Sequence, residues 1–382
     1  MKPIRVTQFP NANEQLLYFT SSSLLKDDSY LAFLSDRTGY PNIFARNLKS
    51  GDEIQLSKNQ EGVLKSYVYF DGIPYRGISK ASVSVHSPSG TIYYIQGRNI
   101  IKVTLDGRET ILAQYPDDQM TAFTHVSNDN RFLCVPTTDE RALDGKLQIN
   151  KITYNIDERV QSENLSSYLR VYDTTTGKEV ICEKVEKAWI THVQFSPNDN
   201  QKILYNHEWP GDCGIRRMWL FDGKKHIRLR TEGAGRSKND WTCHEMWERD
   251  GSAIIYHGAF ENKGPAYIGC IDINQFKLNE IALNGSKRYG HFTVGSNGVL
   301  VTDGYYETEG DKPGRNGDWI CRIDVDWAKQ ETNWSPLCRS SSSWDSQDSH
   351  PHPIIDQKMQ FAYFTSDFEG KRAVYKTALY QS

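Results

Sequence analysis

Short apolar runs of four or five residues recur along the whole chain, each rich in β-branched and aromatic side chains. Examples are residues 91–95 (Thr-Ile-Tyr-Tyr-Ile), 202–205 (Lys-Ile-Leu-Tyr), 253–256 (Ala-Ile-Ile-Tyr) and 361–364 (Phe-Ala-Tyr-Phe). Such runs, bounded by turn-forming residues, predict β-strands. No run shows apolar residues at helical spacing. The pattern repeats. Phe33 leads through Asp36 to Gly39 and then Phe44, and Phe364 leads at the same spacings through Asp367 to Gly370 and then Tyr375. The stretch from Phe44 to Gly51 resembles that from Arg170 to Gly177, and shorter turns occur at Asp106-Gly107 and Asp222-Gly223. Seven units follow, beginning near Tyr30, Ser82, Thr121, Thr191, Thr242, Gly290 and His350. At about 50 residues each, they predict an all-β fold, a seven-bladed β-propeller of four-stranded blades around a central channel. A series of β-sandwiches is the structural alternative.

One propeller domain over residues 1–382 is expected, with insertions around 137–167, 307–317 and 340–349. Insertions of this kind are where loops that cover a site would lie.

Composition narrows the function classes. The net charge of −3 offers no basic excess, so nucleic acid is not an expected partner. The N-terminus, polar and without an apolar core segment, predicts no secretory signal and a cytoplasmic location. No stretch is long and apolar enough to span a membrane as a helix. The seven cysteines, at 134, 182, 213, 243, 270, 321 and 338, show no paired spacing, which argues against a disulfide framework or a zinc knuckle. Cys243, next to His244, is the one with a candidate chemical role. Oligomeric state is not legible.

The histidines carry the chemistry. His244, His291 and His350 each lie six residues before an Asp or Asn that opens the next turn, and His192 lies seven before Asp199. Equal phase in successive blades means equal depth on the innermost strand, so these four should ring one mouth of the channel. The alternative is a repeated structural bond between blades. His86 and His125 sit off this phase and read as structural. His352 and Gln347 adjoin His350, and His291, Gln347, His350 and His352 form a candidate ligand set for one divalent ion such as Mn²⁺, Zn²⁺, Fe²⁺ or Ni²⁺. Those four ligands are neutral, which points to an anionic substrate, most simply a carboxylate. Arg216 and Arg217 suit carboxylate recognition. His207, just before Glu208 and Trp209, is a further candidate for the mouth, as is His192.

The His350–Pro353 element with Gln347 before it, the Cys243-His-Glu-Met-Trp247 run and Arg217-Met-Trp219 together resemble the oligogalacturonate lyases. The resemblance extends through the repeats to nearly the whole chain. It implies a seven-bladed propeller, a bound Mn²⁺ and β-elimination of short galacturonate oligomers, an acidic oligosaccharide substrate. It puts the metal ligands on His291, Gln347, His350 and His352, the catalytic base on His244 and the catalytic arginine on Arg217, with Arg216 beside it. Residues 211–214 and 239–243 depart from the family pattern. Readings from other classes are a non-catalytic TolB-like propeller that binds partners, and a lyase or epimerase for another uronic acid. A serine hydrolase is disfavoured, because no Gly-x-Ser-x-Gly elbow occurs.

Overall fold

The computed structural model describes residues 2–60, 78, 82–143, 147–148, 151–152, 156–208, 217–230, 241–260, 265–283, 290–304, 306 and 318–380. Seven antiparallel sheets are arranged as blades around a channel. Each blade runs outward from a short inner strand. The inner strands are Glu14–Leu16, Val83–His86, Gln119–Thr121, Val193–Ser196, Trp241–Trp247, Phe292–Val294 and Ile354–Ile355, for blades 1 to 7 in turn. In the last blade the fourth position is filled by the N-terminal strand Ile4–Arg5, which pairs with Tyr375 and Lys376. The ring is thus closed by pairing the two ends of the chain.

The blades are held by apolar layers between neighbouring sheets. Leu204 and Met218 of blade 4 pack with Tyr256 and Ile271 of blade 5. Val301 and Ile320 of blade 6 pack with Phe364 and Tyr375 of blade 7. A central strand covered on both faces reads as a continuous apolar run, whereas an outer strand alternates. The outermost strand of blade 3, Glu179–Glu186, shows this strict alternation of half-buried and exposed residues.

The repeated turns are real equivalents. Gly39 and Gly370 end the same turn in blades 1 and 7, with φ of 93° and 90°. Each donates its N–H to the carbonyl of the Asp three residues earlier, at 2.8 Å. That φ is where glycine is favoured.

Two expectations need correction. The first unit does not begin near Tyr30, which opens the second strand of blade 1, Tyr30–Ser35. Its inner strand lies upstream at Glu14–Leu16 and is too short and polar to announce itself. The chain also contains a helix, Ile156–Ser162, within the insertion of blade 3, which holds as well a small hairpin of Leu147–Gln148 and Lys151–Ile152. At seven residues the helix is too short to show a helical period. The segment 307–317 lies outside the described residues. No described helix is long and apolar enough to cross a membrane.

Candidate active site

Three imidazoles converge where the inner strands of blades 6 and 7 begin. His291 directly precedes the inner strand Phe292–Val294, and His350 and His352 lie four and two residues before Ile354–Ile355. One ligand atom from each of His291, His350 and His352 lies within 4.8 Å of the others. The His291 ring is 4.0 Å from that of His352 and 5.3 Å from that of His350, centroid to centroid. Gln347 is half-buried on the same loop, three residues before His350. Trp344, also on this loop, packs 4.4 Å from the His350 ring.

A buried aspartate stands behind the cluster. Asp303 accepts a hydrogen bond from His291 Nδ1 at 2.9 Å and from the His352 backbone N–H at 3.2 Å. Neutral imidazoles converging in this way suit a borderline divalent ion.

His244 lies beside the cluster, its ring 4.5 Å from that of His291. It sits in a β-bulge of the inner strand of blade 5, where the register shifts between Cys243 and Met246. Its φ of 50° is rare for a non-glycine residue. A bulge re-aims a side chain that regular pairing would direct elsewhere. His244 Nδ1 is 2.7 Å from His257 Nε2, on the next strand. Burial, then the neighbouring His291, His257 and Arg217, hold His244 well below the ordinary histidine value. It is therefore neutral at pH 7. Burial likewise pushes His257 down to about 3 and the Cys243 thiol up to about 12, so Cys243 is no nucleophile here.

Arg217 is a buried member of an ion-pair network and not a solvated surface group. Its Nε donates to Glu245 at 2.8 Å and its Nη1 to Glu208 at 2.9 Å. Its Nη2 is 3.5 Å from His192 Nδ1. His192 stacks on Phe123, with centroids 4.4 Å apart, and its Nε2 meets the Tyr18 hydroxyl at 3.1 Å. Burial and Arg217 push His192 down to about 3. Tyr18 and Phe19 floor the group from blade 1. The Tyr18 ring is 5.0 Å from that of His352, and the Phe19 ring is 5.7 Å from that of His244.

Among the described residues, Glu208, Glu245 and Asp303 outnumber the Arg217 guanidinium by two formal charges. The expected electrostatic role of an anionic substrate is thereby changed: protein carboxylates already oppose the charge of a divalent ion.

The fold thus gathers His192, His244, His291, His350, His352 and Arg217. It does not gather His207. Asn206 and Glu208 turn toward Arg217 and His192, and His207, between them on an extended chain, points the opposite way. Its ring packs on Trp219 at 5.2 Å, inside blade 4. A role for His207 at the mouth is therefore withdrawn. Arg216 lies outside the described residues. His86 and His125 make structural bonds, to Ser89 and Asn128 and to the Phe195 N–H respectively. Asp303, His257, Tyr18 and Phe19 were not singled out by the sequence. The one available signal was the pairing of His291 with the residue across its strand, since Asp303 follows Thr302, the partner of Phe292.

Comparison with known proteins agrees in both sequence and shape. The family model described as oligogalacturonate lyase matches residues 81–382. A Pectobacterium atrosepticum protein named oligogalacturonide lyase is 25% identical, over 94% of this chain and 88% of its own length. A Dickeya dadantii protein named oligogalacturonate lyase is 24% identical, with the same two coverages of 94% and 88%. A solved structure of oligogalacturonate lyase in complex with manganese superposes with a TM-score of 0.79 at 21% identity, over 99% of this chain and 93% of that one. That last likeness concerns the propeller itself. The family match spans well over half of the residues, and this chain belongs to the oligogalacturonate lyase family.

Proposed function

We propose that this protein cleaves short oligogalacturonates by β-elimination, with His291, Gln347, His350 and His352 holding Mn²⁺. The observation that carries the proposal is His244, its ring 4.5 Å from that of His291, set beside three converging imidazoles. A bound divalent ion would polarise the carboxylate of the sugar and stabilise the charge that grows as its C5 proton leaves. His244 removes that proton as general base. With its Nδ1 proton given to His257 Nε2 across 2.7 Å, its own Nε2 keeps a lone pair for the task. Arg217, whose Nε and Nη1 are committed to Glu245 and Glu208 and whose Nη2 faces His192 Nδ1 at 3.5 Å, would turn Nη2 to the substrate carboxylate in exchange for that long contact. His192 lies on the same side as Arg217, and Arg216, next to it in sequence, is a further proposed substrate-binding residue.

Breaking the C4–O bond then completes the elimination. Digalacturonate gives one galacturonate, which takes up a proton on the departing oxygen, and one unsaturated uronate, which rearranges to a keto-deoxy acid. Elimination needs no water, whereas hydrolysis consumes one.

The test is a mass-spectrometric product assay on digalacturonate, with chelated protein and with the same protein after Mn²⁺ is restored. Equal amounts of galacturonate and its keto-deoxy partner, in the restored sample alone, are expected. Two plain galacturonates would mean hydrolysis. No product in either state would move the assignment to another uronic acid or to a binding propeller.

A further inference from the structure

We infer that Asp303 is the positioning residue of the metal centre, fixing the His291 ring and the His352 backbone with one carboxylate and supplying negative charge that the neutral ligands lack. The inference rests on the reading of His291, Gln347, His350 and His352 as ligands.

Asp303 follows the second strand of blade 6, Val299–Thr302, and is fully buried. A buried carboxylate is costly unless its oxygens are taken up by donors. Here three donors take them. Oδ1 accepts from the His291 backbone N–H at 2.6 Å. Oδ2 accepts from His291 Nδ1 at 2.9 Å and from the His352 N–H at 3.2 Å. The last bond crosses from blade 6 to blade 7, so one side chain sets the spacing of two ligands that belong to different sheets.

The bond to Nδ1 also selects a tautomer. With the His291 proton on Nδ1, the lone pair is on Nε2, the atom left to face an ion. A carboxylate in this position makes the imidazole a stronger donor and holds its ring orientation.

Gly290 gives separate support. A Cβ at position 290 would lie 2.0 Å from Asp303 Oδ1 and 3.1 Å from the Asp303 carbonyl oxygen. Its backbone φ does not demand glycine; the aspartate does. The chain has given up a side chain there in order to bring the carboxylate against the His291 backbone.

The test is Mn²⁺ affinity of chelated protein, measured by titration calorimetry for the parent, Asp303→Asn and Gly290→Ala. Thermal unfolding of each metal-free protein is followed alongside. Asp303→Asn keeps the size but loses the charge and the tautomer preference. Gly290→Ala keeps the carboxylate but displaces it. Both should bind Mn²⁺ more weakly, Asp303→Asn by about 10- to 100-fold, while remaining folded at the assay temperature. A folded variant of either kind with parental affinity would overturn the inference. If Asp303→Asn does not fold, Gly290→Ala decides. A parent that binds no Mn²⁺ would overturn the ligand reading and this inference together. A parent that binds Mn²⁺ and cleaves digalacturonate, with Asp303→Asn unimpaired in affinity, would overturn this inference alone.

Discussion

Mild acid should strip stability from this fold well before most of its carboxylates protonate. Three buried histidines carry the argument. His192, His207 and His257 are only 7%, 6% and 2% exposed. Burial is the leading cause that pushes them to about 3, 4 and 3. Each is neutral in the folded chain, yet takes a proton near pH 6.5 once unfolded. Their contribution is therefore complete above that pH and is lost as the pH falls below it. Glu248 works in the opposite direction. Burial, helped by Asp250, raises its carboxyl to about 6, so the folded chain gains as pH falls through that range. Three histidines against one carboxyl leave a net uptake of about two protons on unfolding near pH 5.3, or about 3 kcal/mol per pH unit. Integrated from pH 7 to pH 5, the loss is about 4 kcal/mol, a large part of the ~5–15 kcal/mol typical of a folded protein. His125 and His244, also pushed down by burial, add to it, whereas Glu14 and Asp28, raised by burial, oppose it. The assay is urea unfolding of the metal-free protein in steps from pH 7.5 to pH 5. A His207→Gln variant should lose about 1.4 kcal/mol per pH unit of the slope, one proton's worth. A midpoint that stays flat over this range, or rises as the pH falls, would refute the reasoning.

Three further outcomes are expected. His244→Ala should lower turnover of digalacturonate by about 10²- to 10⁴-fold while leaving Mn²⁺ binding intact by calorimetry; a near-normal rate would remove His244 as the base. Glu208→Gln and Glu245→Gln should each cost about 1.5–3 kcal/mol in urea unfolding. The double variant should lose about 0.5–3 kcal/mol beyond the sum, because it leaves the buried Arg217 guanidinium unpaired; strict additivity would mean that the two carboxylates do not share that charge. Gly269→Ala should cost about 1–3 kcal/mol, since its Cβ would lie 2.2 Å from the Tyr256 ring. Its Mn²⁺ affinity should not change, and an unchanged urea midpoint would show that the ring can move aside.

The propeller was legible because its blades repeat. Turns such as Asp36 to Gly39 and Asp367 to Gly370 demand the same residue types at the same place in each sheet. Blade 1 was set out of phase because Glu14–Leu16 carries no alternating pattern of its own. Its buried Glu14 is held by Arg37, a pairing across 23 residues. The histidines of the candidate site were legible for the same reason as the blades, through a shared distance to the next turn. His207 was placed by its neighbours at a strand end and not by that distance, and side chains on an extended chain alternate in direction, so its ring lies on the face away from Glu208. The supporting groups were not legible. Asp303 reaches His291 across a strand pair, and Tyr18 reaches His192 over a separation of 174 residues. The first can be read only once the strand register is known, and the second leaves no local trace.

The pairing of Ile4 and Arg5 with Lys376 and Tyr375 has a consequence for synthesis. The strand Ile4–Arg5 must wait for Ala373–Ala378, and contacts between such distant segments are slow to form. The candidate site straddles this seam: His350 and His352 come from the final blade, while Tyr18 and Phe19 come from the first. Until that seam closes, the residues of the pocket stand on unjoined blades. Ion uptake would therefore serve as a clock for ring closure, with the onset of Mn²⁺ binding during refolding marking the moment at which the circle shuts.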